Sequence, residues 1–260
     1  MPVLFVVIPF FNEAGTLEPC VTRVLAAELP RSWSLSVVLV DDASDAESRA
    51  AAGRLATLHG GHPGRLELLS HLVNRGKGAA LRTGFRRVLE RCADEDDAVL
   101  IQDADLEYDP ADYAALLAAL PSPRTPAAAA RCAVYGNRWG GAAAPGAVRT
   151  LHRAGNRLLT GMSNLLTGYT LGDMECCYKL LPVPLLRQLV PLLTEDRFGV
   201  EPQVTALLAR LGVTVTEVPV RYAPRGFSAG KKIGMRDALR AVWVIVRERL
   251  RRLPAPGAAR

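Results

Sequence analysis

The chain has 260 residues, 49% of them hydrophobic and 22% charged, with 22 Gly and 18 Pro. That balance excludes global disorder and supplies a sizeable core, and α/β proteins often use such a length as one domain. The formal charge of +6 is uneven: residues 221–260 hold eleven Lys/Arg and two acids, a net of +9, so the first 220 residues carry −3. Such a basic end suits anionic lipid, a phosphorylated ligand or nucleic acid, and equally a solvated helix face. No apolar run reaches the roughly 18 residues of a membrane-spanning helix. The first apolar run is broken by Pro9 and followed by Asn12 and Glu13, so neither a signal peptide nor a transmembrane helix is expected. Five cysteines, Cys20, Cys92, Cys132, Cys176 and Cys177, show no zinc-like CxxC spacing and point to a reduced, cytoplasmic setting.

Strand and helix patterns alternate from the start. Strands are predicted over 3–9, 34–40, 66–72 and 98–102, and helices over 17–29, 46–58 and 78–91, with a further helix beginning near Pro110. Residues 121–130 read as a surface connection, followed by a strand over 132–136 and a flexible stretch over 140–146. An amphipathic helix over 154–166, a segment over 173–181, a helix over 202–211 and a strand over 213–220 come next. The last helix, 235–253, carries Leu239, Val242, Val246 and Leu250 as an apolar stripe among arginines. The series predicts an α/β fold with a mainly parallel central sheet and helices on both faces, and ligands beyond the C-terminal strand ends.

The residues just after the strands therefore carry the chemistry. Asp103, Asp105 and Glu107 recur at a period of two after an apolar strand, a grouping of hard oxygen ligands suited to Mg²⁺ or Mn²⁺ beside a substrate phosphate. An acidic strand-to-helix loop is the plainer explanation of a lone DxD. Asn74-Arg75-Gly76-Lys77-Gly78 precedes a helix, so its N–H groups and Lys77 suit an anion, although it is not a Walker A loop. Asp41 and Asp42 suit ribose hydroxyls or a base edge, or cap the next helix with Ser44 and Asp45. The four histidines show no metal spacing, and Cys176-Cys177 reads as packing. Glu201 suits either a sugar contact or a helix cap.

In order, Val7–Glu13, Val40–Ser44, Asn74–Gly78 and Gln102–Leu106 resemble the family 2 glycosyltransferases of GT-A fold, nearest in kind to the polyprenyl-phosphate hexosyltransferases such as dolichol-phosphate mannose synthase. The likeness continues through Tyr135–Arg138, Arg197–Pro202, Pro224–Phe227 and Gly230–Gly234. The resemblance implies a catalytic domain over 1–235, with a basic amphipathic helix and tail over 236–260. It implies a nucleotide-sugar donor lined by Pro9, Phe11, Asn12, Glu13, Asp41, Asp42, Lys77 and Asp103, with Mg²⁺ or Mn²⁺ on Asp103, Asp105 and Glu107. Arg138, and Arg153 or Arg157, are expected at an acceptor phosphate, and Arg225, Lys231 and Lys232 at the diphosphate. Asp105, Arg138 and Lys77 are the residues expected to carry catalysis.

The expected reaction is inverting transfer of a hexose, from a UDP-glucose or GDP-mannose type of donor to a polyprenyl phosphate, by a cytoplasmic protein peripheral at the membrane. Flipping or strong anchoring would need a membrane-protein partner. A soluble or polysaccharide acceptor is the alternative within the enzyme class, and a non-catalytic nucleotide- or membrane-binding module the alternative outside it. Nucleic acid is not expected as a partner, because the basic tail lacks interleaved aromatic residues.

Overall fold

The structure, a computed structural model, describes residues 1–60, 65–121, 125–140, 147–224 and 235–252. It opens with β1 (Val3–Phe10), α1 (Ala14–Leu25), β2 (Ser34–Asp41), α2 (Ala46–His59), β3 (Leu66–Ser70), α3 (Lys77–Arg91) and β4 (Ala98–Ile101). A 3₁₀ turn at Pro110–Asp112 leads into α4 (Tyr113–Ala119), followed by α5 (Pro126–Ala129), β5 (Cys132–Asn137) and α6 (Ala147–Thr167). The chain continues with β6 (Lys179–Pro182), α7 (Val183–Leu189), a 3₁₀ turn at Val190–Leu192, α8 (Val200–Arg210), β7 (Thr214–Pro219) and α9 (Met235–Leu250).

One seven-stranded sheet runs in the order β3-β2-β1-β4-β6-β5-β7. The strands β3, β2, β1 and β4 are parallel, and β6 runs antiparallel between β4 and β5. Leu4–Phe10 and Ser36–Asp41 are buried along their whole length, because helices cover both sheet faces and leave no solvated side to alternate with. Gly84 lets α3 lie directly on the sheet: a Cβ there would overlap Val7 Cγ1. The α/β architecture expected from the sequence is the one observed.

Antiparallel β6 positions the site. With Leu100 opposite Leu180, the segment entering β6 passes over the C-terminal end of β4. It is fixed there by buried Gln102, whose Oε1 accepts hydrogen bonds from the hydroxyls of Tyr113 and Tyr178, both at 2.7 Å. The N–H of Cys177 donates to the Tyr108 hydroxyl at 3.0 Å.

Three elements depart from the sequence pattern. α5 forms within the stretch expected as a surface connection, where Thr125 caps it by accepting from Ala128 N–H and Pro126 suits its first turn. Val183–Leu189 forms α7, where five of seven residues are buried and the adjacent Arg187 and Gln188 are too few to mark the 3.6-residue period. On α9 the buried face is Ala241, Val244, Ile245 and Glu248, whereas Leu239, Val246 and Leu250 of the expected stripe are exposed, as is Trp243. The reason is Glu248, fully buried because Gln203 Nε2 donates to it at 2.8 Å and Arg247 and Arg251 pair with it. A satisfied buried charge has taken the place of an apolar residue in the docking face.

Candidate active site

Four loops at the C-terminal ends of β1, β2, β3 and β4 form one rim. Three non-glycine residues there have positive φ: Asn12 at 54°, Ala43 at 62° and Leu106 at 63°. Such backbone is costly and concentrates where structure serves function. Asn12 ties the first loop to the second, its N–H donating to Ser44 Oγ at 3.1 Å and its Oδ1 accepting from Asp45 N–H at 2.8 Å. Glu13 accepts from the Thr16 hydroxyl at 2.7 Å at the start of α1. Phe11 is half-buried beside them, and Pro9 lies buried within β1 opposite Val40.

The Asn74–Lys77 loop is built around Asp42. Its Oδ1 accepts from Arg75 N–H at 2.9 Å and its Oδ2 from Gly76 N–H at 2.6 Å. His71 Nδ1 lies 2.7 Å from Asp42 Oδ1, and its Nε2 lies 2.9 Å from Thr83 Oγ1. Gly76, at φ 100°, has a conformation that L side chains rarely adopt, and a Cβ there would press on Asp196 O at 2.5 Å. Asp41 is also buried and accepts from Ser44 N–H at 2.9 Å. Both aspartates expected at a nucleotide thus shape the rim, and His71 is a satisfied structural histidine.

Lys77, the first residue of α3, places its Nζ 2.7 Å from Asp103 Oδ1 and 2.6 Å from Glu201 Oε1, where Glu201 lies in the first turn of α8. Burial alone would favour the neutral amine, but the two carboxylates outweigh it and hold the ammonium well above the usual lysine range. Glu201 Oε2 is buried with no partner. Asp105, half-exposed, accepts from Glu107 N–H at 3.1 Å. Glu107 turns aside, its Oε2 accepting from the Tyr222 hydroxyl at 2.8 Å.

Among the described residues, no three His, Cys, Asp or Glu side chains converge as metal ligands. Of the expected triplet, Asp103 pairs with Lys77 and Glu107 accepts from Tyr222. What remains, Asp105 beside Asp103, fits an ion held by one or two carboxylates and the oxygens of a bound diphosphate.

A second corner forms after β5. Arg138 is 7% exposed. Its Nε donates to Asp173 Oδ2 and its Nη2 to Asp173 Oδ1, both at 2.7 Å, and Asn156 Oδ1 accepts from Nη2 at 3.2 Å. The guanidinium expected at an acceptor phosphate is therefore largely committed to Asp173. It also lies 5.5 Å from the Trp139 ring and 5.1 Å from the Tyr222 ring. Exposed Arg153 stacks on Trp139 at 5.6 Å and offers the accessible charge of this corner.

Glu175 sits in the turn between Asp173 and β6. Burial, then the charge of Glu201, pushes its carboxyl up to about 7 against the pull of Lys179 and Arg138, and its Oε1 has no partner. The thiol of neighbouring Cys176 is pushed up to about 12, chiefly by burial, as befits a packed rather than a reactive cysteine. Asp173, Glu175 and Tyr222 escaped the sequence reading because each lies in a segment without periodicity. The only local signals were an acid pair inside an apolar run and an aromatic residue after β7. Arg225, Lys231 and Lys232 lie outside the described residues.

Comparison with known proteins bears on this geometry. The chain is 26% identical over 244 residues to undecaprenyl-phosphate 4-deoxy-4-formamido-L-arabinose transferase of Salmonella paratyphi A, covering 89% of this chain and 63% of the relative. The homologue of Salmonella enteritidis PT4 matches to the same extent. The chain thus spans less than two thirds of the length of these relatives. Glucosyl-3-phosphoglycerate synthase of Mycobacterium tuberculosis shares the fold, with a TM-score of 0.64 at 18% identity over 98% of this chain and 82% of that one. It has been solved with UDP, and with Mn²⁺, UDP-glucose and phosphoglyceric acid. The model of glycosyl transferase family 2 matches residues 5–189, which include six of the seven strands and the loops after β1 to β4, and the chain belongs to that family.

Proposed function

We propose that the chain transfers a hexose from a nucleotide-sugar donor to a polyprenyl phosphate, with inversion at the anomeric carbon. The observation that carries this reading is the pairing of two corners on one rim. Lys77, Asp103, Glu201 and Asp105 form one, Arg138, Trp139 and Arg153 the other, and the Tyr222–Glu107 hydrogen bond runs between them. The names of the Salmonella relatives support a polyprenyl-phosphate acceptor.

The donor diphosphate lies against the first corner. Asp103 and Asp105 would hold Mg²⁺ or Mn²⁺, which supplies Lewis-acid neutralisation of the departing nucleoside diphosphate. Lys77, kept charged by its two carboxylates, faces the same developing negative charge. The acceptor phosphate meets Arg153, with Arg138 holding Trp139 and Asp173 in place beneath. A phosphate monoester, with a second pKa near ~6, is already largely ionised at neutral pH and needs no strong base. Its oxygen forms the new bond to the anomeric carbon as the bond to the nucleoside diphosphate breaks on the opposite face.

Such an acceptor brings the protein to a membrane, and we place it there as a peripheral protein of the cytoplasmic side. Among the described residues no helix is long and apolar enough to cross one. The outer face of α9 suits contact instead: Leu239, Trp243, Val246 and Leu250 are exposed, and Arg240 and Arg247 stack on Trp243 at 4.8 and 4.6 Å.

The test is the product. NMR of butanol-extracted material from reactions with undecaprenyl phosphate should show a sugar phosphodiester of anomeric configuration opposite to the donor's. Sugar confined to water-soluble material, or retained configuration, contradicts the proposal.

A further inference from the structure

The steps just described leave the carboxyl group of Glu175 unused. It belongs to a turn held from both ends. Asp173 is clamped by Arg138 and Asn156, and the ammonium of fully buried Lys179 donates to the carbonyls of Met174, at 3.0 Å, and Cys176. Because β6 runs antiparallel to β4, this turn lies beyond the end of β4, where Asp103 begins.

The contacts on either side of Glu175 locate it further. Asp173, two residues earlier, pairs with Arg138 in the acceptor corner, and Cys177, two residues later, lies against the end of β4, its thiol donating to the Ile101 carbonyl at 3.7 Å. The turn that carries Glu175 therefore runs from one corner towards the other. Its Oε1 is buried and finds no donor among the described residues. Buried polar atoms are ordinarily satisfied, and one left open on a turn clamped from both ends calls for a ligand that donates. To the ionised carboxylate phosphate offers no donor, because it carries the same charge and presents acceptors only. A sugar ring is a set of hydroxyl donors, and it is the group that must pass from one corner to the other.

We propose that Glu175 is a positioning residue that accepts a hydrogen bond from a hydroxyl of the donor sugar, holding the sugar between the two corners. The inference rests on the nucleotide-sugar reading above and adds the residue that distinguishes sugar from nucleotide.

Calorimetric titration of the full chain at pH 8, where Glu175 is mostly ionised, with Mg²⁺ present, separates the two. The probes are UDP, GDP, UDP-glucose and GDP-mannose, followed by deoxy analogues of whichever nucleotide sugar binds. Glu175→Ala should weaken the nucleotide sugar at least about tenfold, as expected for loss of a charge-assisted hydrogen bond, and leave the matching nucleoside diphosphate within about twofold. One deoxy analogue should bind the wild-type protein about tenfold more weakly than the full sugar, yet bind wild type and Glu175→Ala alike. The isosteric Glu175→Gln, which keeps an acceptor oxygen, should fall between. Equal losses for diphosphate and nucleotide sugar, or no analogue whose deficit vanishes in Glu175→Ala, would overturn the role of Glu175 alone. Failure of the wild-type protein to bind any of the four probes would overturn the donor reading itself, and Glu175's role with it.

Discussion

The hydroxyl of Tyr222 donates to Glu107 Oε2 at 2.8 Å, while the ring of the same tyrosine lies 5.1 Å from the Arg138 guanidinium. One side chain therefore ties the acidic loop after β4 to the basic corner after β5. Tyr222→Phe keeps the ring stack and removes the hydrogen bond. Thermal melts should show a loss of about 1 kcal/mol. Turnover should fall several-fold with nucleoside diphosphate affinity nearly unchanged, as steady-state kinetics and titration would show.

Asp42 concentrates the rim's internal hydrogen bonding, accepting from two backbone N–H groups of the Asn74–Lys77 loop. Asp42→Ala leaves those donors open and should cost about 2–3 kcal/mol in chemical denaturation. Gly76→Ala attacks the same loop through its backbone at φ 100° and its contact with Asp196. Both variants should lower donor affinity. A Gly76→Ala protein as stable and as active as wild type would show that the loop is not shaped as described.

Lys77 bridges Asp103 and Glu201. Lys77→Met leaves two neighbouring carboxylates without their shared cation and should destabilise the fold by about 3 kcal/mol. Donor binding should be lost along with it. Lys77→Arg retains the charge, but its wider guanidinium does not fit the same gap and should restore stability better than turnover.

The carboxyl of Glu175 is pushed up to about 7 in the folded protein, from an ordinary 4.5, because burial and Glu201 oppose its charge while Lys179 and Arg138 only partly offset them. The sign follows from linkage. The folded state holds this proton more tightly, so the group is without effect below about 4.5 and opposes folding increasingly as pH rises towards 7. Glu175→Gln should therefore match wild-type stability at pH 4 and exceed it at pH 8, by up to about 3 kcal/mol. Denaturation curves at the two pH values check this, and equal stability at both would contradict it.

The exposed face of α9 gives a test at the membrane. Flotation with vesicles containing anionic lipid should carry the wild-type protein upward, less so at high salt. Trp243→Glu and Leu250→Glu should remain at the bottom while keeping the wild-type melting temperature, because both residues are exposed.

Much of the frame was legible in the residues. The parallel half of the sheet announces itself because fully buried strands read as unbroken apolar runs between amphipathic helices. Asp42, Lys77 and Asp103 drew notice as polar residues at strand ends, and the structure does bring Lys77 and Asp103 into contact. Their directions were not legible. Period-two spacing aims Asp103, Asp105 and Glu107 alike only in an extended chain, whereas Leu106 adopts φ 63° and turns that run apart. Arg138 is legible only through the family resemblance, and nothing local shows that Asp173, 35 residues away, occupies it. On α9 the sequence shows two apolar faces, and only the partners of Glu248 decide which one docks.

The most direct test of the account is transfer of radiolabelled hexose from UDP-glucose or GDP-mannose into butanol-extractable lipid, with undecaprenyl phosphate added, in Mg²⁺ or Mn²⁺ and in EDTA. The account predicts metal-dependent label in lipid with at least one donor, abolished in Asp105→Ala at unchanged melting temperature. Label that appears equally in EDTA or with Asp105→Ala would contradict the proposed diphosphate site, and no transfer from any donor would contradict the proposed reaction.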